Sequence, residues 1–210
     1  MVMKKYISLL LVPIAFVLLS ANRIPTPMVN TYAVDLKNSK ILWNIKTSRG
    51  SNNGVLLLRN GVIKEEYNQV KSSMIEMDMT AIQINSIPPG IVNMKAVTIL
   101  NTESFFDVAR YPSSSLEITR CSPKSSSSFE ATGYLTIKGR RNPIRFLMQG
   151  GFSNGHFSGV SKNIIVNRDL YNIKYTSAEG TADKELDLKV EDAIDQSFTI
   201  DVYIVANIER

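Results

Sequence analysis

A single histidine, His156, and a single cysteine, Cys121, bound the chemistry open to this 210-residue chain. One histidine with no cysteine beside it is too little for the usual multi-His or Cys/His metal sites. His156 follows Asn154-Gly155, next to an expected hairpin tip, and reads as a solvated turn residue. A Ser-His-Asp arrangement would have to form around it, yet Ser153 and Ser158 belong to a strand and a turn, and no G-x-S-x-G elbow occurs. Walker and G-x-G-x-x-G loops are absent as well. Adjacent carboxylates occur as Glu65-Glu66 and Glu191-Asp192, both read as exposed charges. Cys121 reads as a small, partly buried apolar residue rather than a reactive thiol, and alone it can form no intrachain disulfide. The expectation is no catalytic residue, no metal and no enzyme. Carboxylates brought together from distant parts of the chain are the one enzymatic route left open.

The elements that would position any site are strands. Ile41, Trp43 and Ile45 alternate with Leu42, Asn44 and Lys46; Met77 and Met79 with Glu76, Asp78 and Thr80. Ala131, Gly133, Leu135 and Ile137 alternate with Thr132, Tyr134, Thr136 and Lys138, and Phe198, Ile200, Val202 and Ile204 with Thr199, Asp201 and Tyr203. Alternation with period two marks a strand with one buried face, and its repetition between Gly, Pro, Asn and Ser turns argues for an antiparallel sandwich or barrel. Asn60-Gly61 reads as a hairpin turn after the apolar run Val55–Leu58. Gly139–Pro143 reads as a turn with Arg140 and Arg141 exposed, and Ser122–Ser128 as a surface turn. The longest helical candidate is Ala182–Ile194, which fits a strand equally well. The charged second face and short apolar runs argue against an outer-membrane barrel, whose lipid-facing side stays apolar for about ten residues per strand.

The N-terminus carries Lys4 and Lys5, then an apolar run from Ile7 to Leu19, then the small residues Ser20 and Ala21. That is the pattern of a cleaved secretory signal peptide over residues 1–21, too short in its apolar part for the ~20 residues of a spanning helix. Removing 21 of 210 residues leaves 189, and losing two lysines lowers the net charge from +5 to +3. Such a balance, with no Lys/Arg cluster interleaved with aromatics, gives no case for nucleic acid. Residues 22–30 read as an exposed leader and 31–210 as one all-β domain.

Four stretches resemble the YceI-like family of exported polyisoprenoid-binding proteins. Ser104-Phe105-Phe106-Asp107-Val108-Ala109-Arg110-Tyr111-Pro112 is similar to its FFDV-x-x-YP segment, and Thr132–Gly139 with Pro143-Ile144 to its G-x-LTI-K-G strand and turn. Val166–Tyr171 with Ile173–Tyr175 is similar to its late Arg-containing strand, and Tyr32–Asp35 with Ser39 and Trp43 to its first strands. The resemblance implies an antiparallel, lipocalin-like barrel of about eight strands with one or two short helical segments. It implies an apolar interior for an isoprenoid chain, an isoprenoid quinone or a fatty amide, and a periplasmic protein with transient membrane contact. No cofactor is implied beyond such a bound lipid, and the oligomeric state stays open, a dimer included. The chain departs from the family at Ile99-Leu100, where His-Leu is common, at Arg140-Arg141-Asn142-Pro143, and at Asn172 in place of glycine. These changes are expected on turns and edges, and Asn172 can still take the left-handed conformation.

Six residues are the candidates for a lipid pocket. Trp43 faces inward with Ile41 and Ile45, a core residue first and a ligand wall second. Phe105 and Phe106 cannot both point inward from one strand, so they are placed on a turn or short helix at the barrel mouth, as a lid or as a plug. Arg168, on an apolar strand beside Asn167 and Asp169, meets a polar head group or pairs with an aspartate. Tyr171 and Tyr175 suit a pocket or a rim. The interior is expected to be a hollow, continuous apolar tunnel. A barrel filled by its own side chains would point instead to a structural or protein-binding module.

Overall fold

A computed structural model describes residues 28–47, 50–173 and 197–209. The strands are β1 (Val29–Val34), β2 (Lys40–Thr47), β3 (Gly50–Leu56), β4 (Leu58–Glu66), β5 (Gln69–Asp78) and β6 (Gln83–Ile84), followed by helix α1 (Ile91–Asn101). Then come β7 (Ser113–Ser125), β8 (Ser128–Ile137), β9 (Arg140–Ser153), β10 (His156–Asn167) and β11 (Ser197–Ile208). The strands β1-β4-β5-β7-β8-β9-β10-β11 neighbour one another in that order, and β1 pairs with β11, closing an eight-stranded antiparallel barrel. The expected all-β barrel is therefore the observed fold. β1 begins at Val29, within the span read as leader.

Strands β2 and β3 extend one end of the barrel. Thr199–Tyr203 of β11 pairs with β2, while Ala206–Ile208 pairs with β1, so β1 and β2 share one long neighbour. Between them Asp35 accepts the backbone N–H groups of Lys37 and Asn38 in a tight turn. The core follows from the alternation: Ile41 and Trp43, Met77 and Met79, Leu135 and Ile137, and Ile200, Val202 and Ile204 are all buried inside.

Several local expectations are corrected. Asn60-Gly61 is not a turn but part of β4, where Asn60 and Gly61 lie opposite Glu76 and Ile75. Gly61 is needed there because a Cβ would strike Val34 at 2.6 Å. The turn that follows β4 is Tyr67-Asn68, both at positive φ. The β8–β9 turn is only Lys138-Gly139, φ 53° and 69°, so Arg140–Pro143 already belong to β9. Two central residues at positive φ match the right-handed twist of the flanking strands. The expected surface turn at Ser122–Ser128 shrinks likewise, since β7 runs through Ser125. Glu65 is buried, accepting Asn30 Nδ2 at 2.5 Å and the backbone N–H of Asn68, whereas Glu66 pairs with Lys71 at 2.9 Å. Helix α1 falls on a stretch not read as helical, and the candidate at 182–194 lies outside the described residues.

One join in the wall is short. β9 and β10 pair only over Gln149–Ser153 against His156–Val160, although both strands run on. Beyond that, Ser161 Oγ donates to the Leu147 carbonyl at 2.7 Å.

Candidate functional site

The end of the barrel next to α1 contains an apolar cavity. Its floor is β2, where period two turns Ile41, Trp43 and Ile45 inward, and its far wall is Leu135 and Ile137 of β8 with Ile200 of β11. Trp43 fits because its neighbour on β3 is Gly54, where a Cβ would lie 2.6 Å from the indole. Met77 and Met79 line a third side, Met79 held in a 3-10 turn that Asp78 caps by accepting the N–H of Thr80 at 2.9 Å. The cap lowers the Asp78 pKa, its bonds to Thr80 outweighing partial burial. The wall has one polar side chain besides the indole, Ser114, whose hydroxyl donates to Met79 Sδ at 3.1 Å.

The mouth is formed by α1 and the turns after it. Ala96 and Leu100 bury one stripe of the helix, and the chain then reverses with Phe106 N–H bonded to the Leu100 carbonyl and Asp107 N–H to that of Thr102. Phe105 is buried, whereas Phe106 is half-buried and reaches the cavity; their rings meet edge to face with centroids 4.7 Å apart. Lys138 fastens this mouth to the barrel, its ammonium donating to the Glu103 carbonyl at 2.5 Å and the Asn172 carbonyl at 3.0 Å. Burial lowers its pKa, against the opposing pull of Asp107 and Glu103.

The structure therefore separates the six candidates. Trp43 and Phe106 share the cavity wall, and Phe105 packs beside Phe106. Arg168 is not on a strand: β10 stops at Asn167, whose side chain accepts the N–H of Asp169 and opens a 3-10 turn over Arg168–Tyr171. Neither Arg168 nor Tyr171 lines the cavity; Tyr171 is buried elsewhere in the core, which pushes its phenol up to about 12. Asn172 ends the turn in the left-handed conformation, φ 54° and ψ 40°, as its side chain permits. Tyr175 lies outside the described residues. Met77, Met79, Leu100 and Ser114 were not among the candidates; the alternation of Met77 and Met79 was the available signal. Ile99 and Leu100 fall in the last turn of α1, not at a turn or sheet edge.

The interior is not a continuous tunnel. The cavity beside Trp43 has a volume of about 30 Å³. A second one, farther along the barrel between Phe146, Phe157 and Val202, has about 20 Å³. One water needs ~10–15 Å³. The apolar space inside the barrel is thus two small cavities with no lining residue in common, where one continuous tunnel is the expectation. Val70, Cys121 and Phe129 border the second cavity and also a wide, serine-lined opening at the opposite end of the barrel. Burial pushes the Cys121 thiol up to about 11. Among the described residues, neither interior cavity has a carboxylate, lysine, arginine or histidine in its wall, and no cluster of three potential metal ligands occurs. His156 is exposed at the start of β10, its Nδ1 2.6 Å from Asn207 Oδ1.

The comparisons bear on this barrel directly. Burkholderia cenocepacia BcnA superposes with a TM-score of 0.62 at 16% identity, covering 83% of this chain and 99% of that one. A cysteine-substituted variant of the Campylobacter jejuni YceI protein gives a TM-score of 0.50 at 14% identity, covering 68% and 75%. At such identities the likeness is one of fold. No curated protein matches the sequence. A YceI-like domain is matched over residues 32–206, from the middle of β1 to near the end of β11, and on that match the chain belongs to the YceI-like family.

Proposed function

We propose that the mature protein is a periplasmic, non-enzymatic carrier or reservoir that holds a long apolar lipid inside its barrel: a polyisoprenoid, an isoprenoid quinone or a fatty amide. The observation that carries this reading is the cavity wall running from Trp43 to Phe106, which is carbon and thioether throughout except for the indole N–H and Ser114. Such a wall discriminates by apolar area, worth ~25 cal/mol per Å² buried. Trp43 Nε1 is buried with no hydrogen-bond partner among the described residues, and a carbonyl on the ligand, as in a quinone, would satisfy it. An unmet buried donor costs ~1–3 kcal/mol, which gives the pocket a preference for a tail that ends in an acceptor. The narrow interior must widen to take the tail. Met77, Met79 and Phe106 are the side chains suited to move, thioethers being unbranched and adaptable. Signal cleavage near Ala21 would deliver the domain to the compartment where such lipids cross between membranes.

The small size of both cavities favours a second reading, a structural module whose barrel is filled by its own side chains. Trp43 is the only tryptophan, so its emission separates the two. Native mass spectrometry of the exported protein should show a bound long-chain lipid, and extraction followed by isoprenoid quinone should move the Trp43 emission twice, in opposite senses. A bare chain with unresponsive emission hands the case to the structural module.

A further inference from the structure

From Asn85 to Thr102 the chain runs through Ile87-Pro88-Pro89-Gly90 into α1, and Lys95 is its one ionisable side chain. Asn93 ties this lip to the barrel, its amide donating to the Ile84 carbonyl at 2.9 Å and the Ile87 carbonyl at 2.8 Å. Only Ala96 and Leu100 of the helix are buried. The first half of α1 is turned outward: Ile91 is 74% exposed, Met94 70% and Val92 43%, with Pro88 and Pro89 exposed just before them. Large apolar side chains in water need a partner when they cluster, and here they cluster on the lip of the cavity that Leu100 and Phe106 line.

We infer that this lip is the face with which the protein docks on an anionic lipid bilayer, resting on the reading above that the cavity takes an isoprenoid lipid. Three observations select a bilayer. The lip and the cavity share one helix, since α1 exposes Ile91, Val92 and Met94 in its first half and lends Leu100 to the cavity wall from its last turn. Its charge suits anionic head groups: the lip from Asn85 to Thr102 carries Lys95, exposed, and no acidic side chain. Its length suits insertion in the plane of the surface, because α1 spans 11 residues, about 16 Å at 1.5 Å per residue, and no described helix is long or apolar enough to cross a membrane.

The test is vesicle flotation of the mature chain with phosphatidylcholine alone and with phosphatidylcholine containing phosphatidylglycerol. The protein should float with the anionic vesicles and less with the neutral ones. Ile91→Ser with Met94→Ser, both at exposed positions, should lower the partition coefficient about tenfold, and Lys95→Glu should weaken the anionic preference. Quinone binding measured at equilibrium by Trp43 emission should be unchanged in the serine variant, while transfer of quinone from loaded vesicles slows. A protein that stays at the bottom with both vesicles overturns the proposal, as does equal flotation of wild type and serine variant. Concentration-dependent dimerisation abolished by the serine variant, without flotation, would reassign the lip to a contact between copies and also overturns it. Flotation without quinone binding would sink the lipid-carrier reading and leave the docking face standing; quinone binding without flotation does the reverse.

Discussion

Cys121 shows how position sets reactivity at the scale of one residue. It sits half-buried on β7 between the serine-lined opening and the second cavity, and desolvation alone raises its thiol to about 11. The thiolate is the nucleophile, so iodoacetamide at pH 8 should label Cys121 about a hundredfold more slowly than a free cysteine; complete labelling within minutes would show that the thiol is open to solvent. Arg141 is the converse, an exposed residue with partners. Its guanidinium lies 3.2 Å from the Tyr134 ring centroid and 2.6 Å from Glu117 Oε2, linking β9, β8 and β7 on the outer face. Arg141→Ser should lower the urea midpoint slightly but measurably, since both the exposed ion pair and the cation–π contact are individually small. Arg140→Ser should cost nothing measurable. Trp43 was legible as inward-facing because its strand alternates; the partnering of Arg141 was not, because it depends on which strands lie beside it.

Elements were legible where one face is buried and illegible where burial is mixed. β8 and β11 alternate cleanly and were read from their residues alone. Helix α1 leaves no 3.6-residue stripe because its exposed side carries Ile91, Val92 and Met94, so apolar residues surround it. The Pro88-Pro89-Gly90 break before it was the remaining signal. Asn60-Gly61 misled for a related reason: glycine here makes room for Val34 instead of reversing the chain. The 3-10 turn after β5 depends on Asp78, and Asp78→Ala should destabilise the protein by about 1 kcal/mol, as loss of an N-cap does. The native Asp78 pKa lies below its unfolded value, so this contribution is complete above the unfolded pKa of ~3.9 and disappears as pH falls through the native one. Wild type and Asp78→Ala should therefore converge in stability toward pH 2, and a constant gap would show that the cap acts without its charge.

At the scale of the molecule, periodicity told which way side chains point but carried no information on how closely opposite walls approach. Antiparallel strands could be read from it and the closed barrel from the family resemblance; the narrowness of the interior could be read from neither. The short β9–β10 ladder bears on that difference. The turn at Lys138-Gly139 sets the odd-numbered amides of β9 pointing away from β8, and below Gln149 Arg145 and Leu147 have no register partner on β10. The cylinder thus has an unlaced strip, crossed by the bond from Ser161 to Leu147. On the proposed carrier role, hinging β9 and β10 about their shared turn would change the circumference along such a strip with the ladders on either side intact, and a tail would enter without unzipping a sheet. Amide exchange followed by NMR should show the signature: Arg145 and Leu147 exchanging fast between the slow Ile144, Phe146 and Met148. Uniform protection across these five would mean a rigid girth, one that could swell only by breaking strands apart.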